Sequence, residues 1–357
     1  MNTPQRRDDL VDLAGYHSPQ LDVAVRLNTN ESPYPPPPEF VDAWLEALRS
    51  LPLHRYPDRA ALRLRRALGA FFDQPAERIF CANGSNEVLQ TLLLTYGGPG
   101  RRVVVFEPSY ALHSHIARIT GTEVVEGDRR DDFTIAPERA CALVREVRPA
   151  ITFVCSPNNP TGTVEPLGTV EALLEAGEGL VVLDEAYGEF APESALTRVA
   201  DDGRLVVVRT YSKVWSMAAL RLGFCVAAPS VVEDLEQVVL PYALAAPTQL
   251  AGELALDHVE AMGERVSRLI AERERLIAAL GELPELTVFP SGANFVLVRT
   301  AGDGHALWER LVSRGVLVRD FSRRPRLADC LRITVGTPDE NEACLAALRE
   351  ALEEVAA

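Results

Sequence analysis

Lys213 is the side chain of this sequence with the clearest potential for covalent chemistry. It lies in the segment 210–221 (TYSKVWSMAALR), after three hydroxyl residues and before a largely apolar stretch. Burial disfavours the charged ammonium and lowers the pKa of a lysine from about 10.4, which yields a nucleophilic amine. Most lysines are solvated surface charges, but nearly all of the 36 basic residues here are arginine. We therefore interpret Lys213 as a candidate nucleophile.

A phosphate site is predicted in the segment 82–87 (ANGSNE), between an apolar run and a helical pattern. Ser85 and Asn86 would open the helix, where backbone N–H groups point outward at the positive end and bind anions. The alternative is an ordinary N-cap, in which one of the two side chains caps the helix and no ligand binds.

Two further segments place amide, carboxylate and phenol groups after apolar runs. In 156–162 (SPNNPTG), prolines and a glycine hold Asn159 in a rigid turn, although a turn without a ligand remains open. In 184–190 (DEAYGEF), Asp184 ends an apolar run and Tyr187 follows three residues later. A carboxylate there requires a cationic partner or hydrogen-bond donors, unless Asp184 is a helix N-cap.

Together these groups match a single ligand. They offer a phosphate site, a carboxylate for a ring nitrogen, a phenol and an amide for a ring hydroxyl, and an amine for an aldehyde. A lysine that forms a Schiff base, with an acidic partner for the pyridine nitrogen, is the protein signature of pyridoxal phosphate. The four segments thus predict pyridoxal phosphate as the cofactor.

Seven short apolar runs predict the strands that position these groups. They are 79–82, 103–106, 123–125, 151–155, 180–183, 205–209 and 223–228. Most are continuously apolar, which is typical of strands covered on both faces in a mainly parallel sheet. Open parallel sheets bind ligands at the carboxyl ends of their strands, where all four segments fall.

The predicted order of helices and strands differs between the N-terminal arm, the middle and the C-terminal part of the chain. A proline-rich arm occupies the first forty residues, and helices are predicted at 87–96, 170–177 and 264–281. Strands at 295–299, 316–319 and 331–335 then alternate with helices at 305–315 and 341–355. We expect an arm and the start of a small domain in 1–49, a large α/β domain in 50–250, and a small α+β domain in 251–357.

The motifs, in their order along the chain, resemble those of fold-type I, class II aminotransferases, and among them the histidinol-phosphate aminotransferase family. They are RLNTNESPYPPPP (26–38), HRYPD (54–58), ANGSNE, EPSY (107–110), SPNNPTG, DEAYGEF, TYSK with Arg221, SGANFVLVR (291–299) and LRITVGTPDEN (331–341). The resemblance implies a large domain with a mainly parallel seven-stranded sheet in a three-layer sandwich, and a smaller α+β C-terminal domain.

The resemblance also implies roles for individual residues. Lys213 would form the Schiff base and shuttle a proton, Asp184 would keep the pyridine nitrogen protonated, and Asn159 with Tyr187 would bind the ring hydroxyl. Tyr110 would stack on the ring. The phosphate would be held by the backbone of Ser85 and Asn86 and by the side chains of Thr210, Ser212 and Arg221. Tyr56 would reach the phosphate of the neighbouring subunit's cofactor, which implies a homodimer with shared active sites.

For the substrate, the resemblance implies Tyr16, Asn159, Arg319 and Arg332 as binding residues. It implies transfer of an amino group between L-histidinol phosphate and 2-oxoglutarate, with phenylalanine or tyrosine as the alternative donor. The family usually reads TLSKAFGLAGLR, and this chain departs from that pattern at Tyr211, Val214, Trp215, Ser216, Met217 and Ala219. Ser32 likewise stands where the arm usually carries an asparagine.

Composition and charge exclude other classes of function. The formal net charge of −15 repels nucleic acid and anionic membranes, so neither is an expected partner. No apolar run is long enough to span a bilayer and no signal sequence is recognisable, so we expect a cytoplasmic location. The six cysteines are interpreted as reduced thiols, and His113 has no nearby carboxylate at metal-ligand spacing. We therefore predict no metal.

Two further classes of function stay possible. A cofactor-binding regulator without turnover would keep the fold, but the complete set of Lys213, Asp184 and Tyr187 argues against it. A dinucleotide-binding dehydrogenase fits the α/β alternation but lacks G-x-G-x-x-G after the first strand.

Overall fold

The structure, a computed structural model, describes residues 4–11, 13–15 and 19–356, with side chains described up to residue 354. The described strands are β1 Val25–Leu27, β2 Ile79–Asn83, β3 Arg102–Glu107, β4 Glu123–Asp128, β5 Ile151–Cys155, β6 Leu180–Asp184, β7 Leu205–Thr210, β8 Leu222–Val226, β9 Leu286–Val288, β10 Phe295–Thr300, β11 Val316–Asp320 and β12 Cys330–Thr334. The described α-helices are α1 Pro38–Arg49, α2 Leu62–Phe72, α3 Gly84–Tyr96, α4 Leu112–Ile119, α5 Pro137–Val147, α6 Leu167–Ala176, α7 Pro229–Val238, α8 Ala246–Ala255, α9 Val259–Gly281, α10 Gly304–Ser313 and α11 Pro338–Ala356. None of these helices is both long and apolar enough to cross a membrane.

Seven strands form the large sheet, in the order β2-β8-β7-β6-β5-β3-β4. β8 runs antiparallel to both of its neighbours, and the other pairs are parallel. The prediction of a mainly parallel seven-stranded sheet is therefore confirmed, with every predicted strand in place. The outcome follows from the sequence because β5 to β8 are buried along their whole length, as strands with mostly apolar residues on both faces require.

Helices cover both faces of this sheet. Alternate side chains of β3 enter different cores: Val103 and Val105 pack with α3, α4 and α7, whereas Val104 and Phe106 belong to the opposite core with α2, α5, α6 and α8. Successive strand residues point to opposite faces, so one strand contributes to both. The result is the expected three-layer sandwich.

A second sheet, in the order β1-β11-β12-β10-β9, lies beyond the long helix α9. β1 comes from the N-terminal arm and pairs in parallel with β11, whereas the other pairs are antiparallel. The N-terminal arm is therefore part of the same sheet as the C-terminal strands. The domain boundaries near residues 49 and 250 stay a prediction.

Helix α1 was not expected from the sequence. It begins at Pro38, the last residue of the proline run 35–38. Proline disrupts a helix interior but suits the first helical position, where its missing N–H has no intrahelical partner and its fixed φ matches the helix. The run therefore ends the extended arm and starts the helix.

Candidate active site

A cavity of about 370 Å³ lies where the central strands of the large sheet end. The residues of the predicted site that line it are Ser85, Asn86, Tyr110, Asn159, Asp184, Tyr187, Thr210, Ser212, Lys213, Arg221 and Arg332. The lining residues that were not predicted are Thr29, Asn30, Glu31, Cys155, Ala186, Ala218 and Ala219. Its volume is within the range of small-molecule sites. The fold therefore brings together segments that are far apart in the sequence.

The N-terminus of α3 faces hydroxyl and guanidinium groups at one end of the cavity. Gly84 has φ +76°, and a Cβ there would lie 2.5 Å from Nη2 of Arg221, so the turn requires glycine. Nη1 of Arg221 donates to Oγ of Ser212 at 3.2 Å, and Oγ1 of Thr210 donates to the same oxygen at 3.1 Å. The open backbone N–H groups and the guanidinium make this end suitable for a phosphate.

Asp184 is buried and has a partner that the sequence analysis missed. Its Oδ2 lies 3.0 Å from Nε2 of His113, and its Oδ1 accepts the backbone N–H of Ala186 at 3.1 Å. The imidazole stacks on Phe153, with ring centroids 4.8 Å apart. The sequence analysis considered only carboxylates at metal-ligand spacing along the chain, and such spacing does not reveal this contact between α4 and β6. Among the described residues no cluster suits a metal ion.

The amine of Lys213 is half-buried in the cavity. Its Nζ donates to the backbone carbonyl of Thr29 at 3.2 Å and lies 5.8 Å from the ring centroid of Tyr187. Burial, followed by the positive charges of Arg332 and Arg221, lowers the pKa of Lys213 to about 8. About a tenth of this amine is therefore neutral and nucleophilic at pH 7, far more than for a solvated lysine with the ordinary pKa of about 10.4.

This lowered pKa can be measured directly, because Lys213 is the only lysine in the chain. Protein labelled with ¹⁵N at the lysine side chain should give a single Nζ signal that titrates near the pKa of about 8 in the apoprotein. In urea the same signal should titrate near the ordinary lysine value of about 10.4. A native midpoint as high as the unfolded one would show that the amine is solvated, and would contradict the description of this site.

The side-chain amides of two asparagines contact the hydroxyl of Tyr187. Nδ2 of Asn30 donates to the phenol oxygen at 2.9 Å, and Nδ2 of Asn159 lies 3.4 Å from it. Burial raises the pKa of Tyr187, so the phenol stays protonated. Asn30 was not predicted as a site residue. It is buried in a left-handed conformation at φ 57°, and its side-chain oxygen accepts from Thr334 at 2.8 Å.

The two predicted substrate arginines lie directly opposite each other on β11 and β12. Nη1 of Arg332 donates to Oδ1 of Asn159 at 2.5 Å, and its Nη2 donates to the carbonyl of Asn28 at 2.7 Å. Arg332 lines the main cavity, whereas Arg319 lines an adjoining groove of about 220 Å³. Tyr110, Asn159 and Arg332 line both spaces, which joins the groove to the cavity.

Among the residues that the structure describes, one predicted site residue lies away from both the cavity and the groove. Tyr56 is 80% exposed and stacks on Tyr242, with ring centroids 4.5 Å apart. It does not line the cavity of its own chain. Tyr16 lies outside the described residues, so its predicted role stays a prediction.

Comparison with known proteins gives the family. The model of aminotransferase class I and II matches residues 22–348. The chain belongs to the class I and II aminotransferases. The histidinol-phosphate aminotransferase of Streptomyces avermitilis is 45% identical to this aminotransferase, over 98% of this chain and 96% of the relative. That of Frankia casuarinae is 44% identical, over 97% of this chain and 90% of the relative.

A solved structure agrees with this assignment. The histidinol-phosphate aminotransferase from Sinorhizobium meliloti, in complex with pyridoxal-5′-phosphate, superposes with a TM-score of 0.86 at 25% identity. The match covers 93% of this aminotransferase and 92% of that chain. The fold-type I architecture implied by the sequence motifs is thereby confirmed.

Proposed function

We propose that this aminotransferase interconverts L-histidinol phosphate and 2-oxoglutarate with imidazole-acetol phosphate and L-glutamate, as a step of histidine biosynthesis. Pyridoxal phosphate is its cofactor. The observation that supports this substrate best is the pair Arg319 and Arg332, which face each other beside the cavity of an otherwise acidic chain. Curated relatives with this activity in their names align with nearly the whole chain.

The donor set of the cavity fits the cofactor. A helix N-terminus with Arg221 suits a phosphate, the buried carboxylate of Asp184 suits a protonated ring nitrogen, and the phenol of Tyr187 suits a ring hydroxyl. Gly84 leaves the helix N-terminus uncovered, since a Cβ would meet the guanidinium of Arg221. These residues, together with Ser212, would hold the group. When bound, pyridoxal phosphate supplies an aldehyde and an electron-withdrawing ring.

Lys213 moves the proton in the proposed reaction. Because its pKa is lowered to about 8, the amine can take a proton from the substrate Cα and return it at neutral pH. The carboxylate of Asp184 lies at the ring end of the cavity, and it accepts a hydrogen bond from Nε2 of His113 in the tautomer that carries the proton on that nitrogen. Tyr187, held by Asn30, keeps a neutral phenol aimed at the cavity.

Arg332 and Arg319 bind the anionic end of the substrate. A guanidinium fork suits a phosphate and a carboxylate alike, so one pair of arginines can receive both histidinol phosphate and a dicarboxylate. Arg332 is fixed by the carbonyl of Asn28 and the amide of Asn159, which leaves the orientation of its fork well defined. Preorganisation of this kind lowers the entropy lost on binding.

Arg332→Ala should raise the KM for histidinol phosphate by about tenfold to hundredfold, because charge-assisted hydrogen bonds contribute about 1.5–3 kcal/mol. Steady-state kinetics with a saturating oxo acid measure this change. Arg139→Ala, at an exposed position of α5, is the matched control and should leave the KM unchanged. Equal KM values for Arg332→Ala and the unsubstituted protein would place the anion site elsewhere.

The donor itself is tested by comparing kcat/KM for histidinol phosphate, histidine, phenylalanine and tyrosine. Specificity is the ratio of these values, and only the first donor carries the phosphate that the arginines can bind. We expect histidinol phosphate to exceed histidine by at least about a hundredfold. A higher kcat/KM for phenylalanine or tyrosine would favour the alternative, an aromatic amino acid aminotransferase.

A homodimer with shared active sites is supported by the surface around Tyr56. Tyr56, Leu53 and Leu240 are 80%, 78% and 77% exposed, and Tyr242 stacks on Tyr56. Large exposed apolar side chains that follow one another closely along the chain, as at 53 and 56 and at 240 and 242, favour a protein interface here. Since Tyr56 does not line the cavity of its own chain, we infer that it completes the phosphate site of the partner subunit. The expected cytoplasmic location stays a prediction.

Mixing two impaired variants tests the shared site. In a hybrid of Lys213→Ala and Tyr56→Phe subunits, one of the two sites would contain both native residues. At a limiting cofactor concentration each variant alone has low activity. Random mixing makes about half of the dimers hybrids, each with one native site, so about a quarter of the unsubstituted rate should be restored. If Tyr56 served its own subunit, the mixture would show no gain over the average of the two variants.

A further inference from the structure

Ser216, three residues after Lys213, has a backbone conformation that favours glycine. Its φ is +54°, in the left-handed region, where an L side chain is strained. The family pattern carries glycine at this position, so the chain has accepted a side chain where glycine would be more stable. Such an outlier persists only if the surrounding contacts hold it in place.

The hydroxyl of Ser216 belongs to a directed relay of hydrogen bonds. Oγ of Ser216 donates to Oγ of Ser32 at 3.0 Å, and Oγ of Ser32 donates to the carbonyl of Tyr34 at 3.2 Å. Nη1 of Arg265 lies 3.4 Å from Oγ of Ser216 and donates to it. Each hydroxyl has a single proton, so the direction runs from Arg265 to Ser216, Ser32 and Tyr34. All four residues are partly buried.

This relay connects three elements around the site. Arg265 lies on α9, Ser216 on the loop that carries Lys213, and Ser32 on the N-terminal arm. Ser32 and Ser216 are both departures from the family pattern, and they contact each other. Two substitutions that meet at one hydrogen bond are expected to be energetically coupled.

The part of the arm just before Ser32 makes hydrogen bonds with three residues that line the cavity. The carbonyl of Asn28 accepts from Arg332, the carbonyl of Thr29 accepts from Lys213, and the amide of Asn30 donates to Tyr187. These contacts occupy the residues just before Ser32. A tether at Ser32 therefore limits how far this part of the arm can move from Arg332 and Lys213.

We propose that the Ser216–Ser32 hydrogen bond, supported by Arg265, is a positioning device that fixes the arm over the substrate-binding end of the cavity. Ser32 and Ser216 are positioning residues and do not touch the reacting atoms. The effect on substrate binding rests on the proposed function. The effect on the arm is independent of it, because order in the arm can be measured without substrate.

Amide hydrogen exchange of the holoenzyme tests the tether. Ser216→Gly removes the hydroxyl and also relieves the left-handed strain, so its melting temperature should not fall. Exchange in the arm, residues 28–34, should nevertheless become about fivefold faster, the factor for one hydrogen bond of ordinary net strength. Ser32→Ala should have the same effect on the arm, and Ser32→Thr, which keeps a hydroxyl, should not.

Further variants separate the tether from a general loosening. Ser267→Ala removes an exposed hydroxyl of α9 that bonds only within its own helix, and should leave exchange in the arm unchanged. The double variant Ser32→Ala with Ser216→Gly should exchange no faster than either single variant. Both single variants should raise the KM for the donor by about fivefold, with kcat changed less than about twofold.

The outcomes distinguish this proposal from the proposed function. Unchanged exchange in the arm of Ser216→Gly and Ser32→Ala, or fully additive effects in the double variant, would overturn the tether whatever the substrate is. Faster exchange in the arm, together with failure of histidinol phosphate as a donor, would keep the tether and reject the proposed substrate.

Discussion

Lys213→Ala is expected to lower kcat by at least about 10⁴-fold, because the variant loses both the nucleophilic amine and the group that moves the proton. No other lysine is present in the chain to replace it. The measurement is a single-turnover assay with preloaded cofactor, which separates the chemical step from cofactor loss. Cofactor is expected to remain bound through the phosphate end, at Ser85 and Arg221.

Lys213→Arg is the matched control for charge. Arginine keeps the positive charge beside Thr29 but stays protonated, so it supplies neither a nucleophile nor a base. It should be as inactive as Lys213→Ala. Sustained turnover by either variant would show that Lys213 does not carry the reaction.

Asp184→Asn is expected to lower kcat by about 10³-fold, comparable with the loss of a preorganised electrostatic partner in other enzymes. The substitution keeps the shape of the side chain but removes the buried negative charge that a protonated ring nitrogen requires. Single-turnover kinetics and the absorbance spectrum of the bound cofactor measure the effect. Activity within tenfold of the unsubstituted protein would assign the ring nitrogen to another group.

His113→Phe tests whether the imidazole acts through Asp184. Phenylalanine retains the stacking on Phe153 but loses the contact with the carboxylate, so kcat should fall by about tenfold, less than in Asp184→Asn. His115→Phe, two residues along α4, is the control and should have no effect on kcat. If His113→Phe also had none, the contact would serve stability alone.

The sequence predicted the large sheet well because its strands are buried on both faces. Mostly apolar runs such as 151–155 and 180–183 are most stable in the interior of a parallel sheet. The ends of helices were predicted less accurately than their presence. Helix α9 begins at Val259, whereas the sequence predicted 264, since an exposed first turn shows little hydrophobic periodicity. Helix α1 was missed because a proline run also predicts extended chain.

The candidate site was predictable where a motif follows a strand. Lys213, Asp184 and Asn159 each lie just after a predicted apolar run, and parallel strands bring such positions to one edge. Partners between distant segments were not predictable. His113 and Asp184 are 71 residues apart, and Asn30 and Thr334 are 304 apart. Such contacts depend on three-dimensional packing and leave no periodic pattern in the chain.

Reduction of the holoenzyme with borohydride tests whether Lys213 is the residue that binds the cofactor covalently. Since Lys213 is the only lysine, the only other primary amine available to an aldehyde is the one at the N-terminus. We expect the pyridoxyl mass on the tryptic peptide 210–221, left uncut at the modified lysine. An unmodified Lys213, or the adduct on the N-terminal amine alone, would show that Lys213 does not bind the cofactor aldehyde.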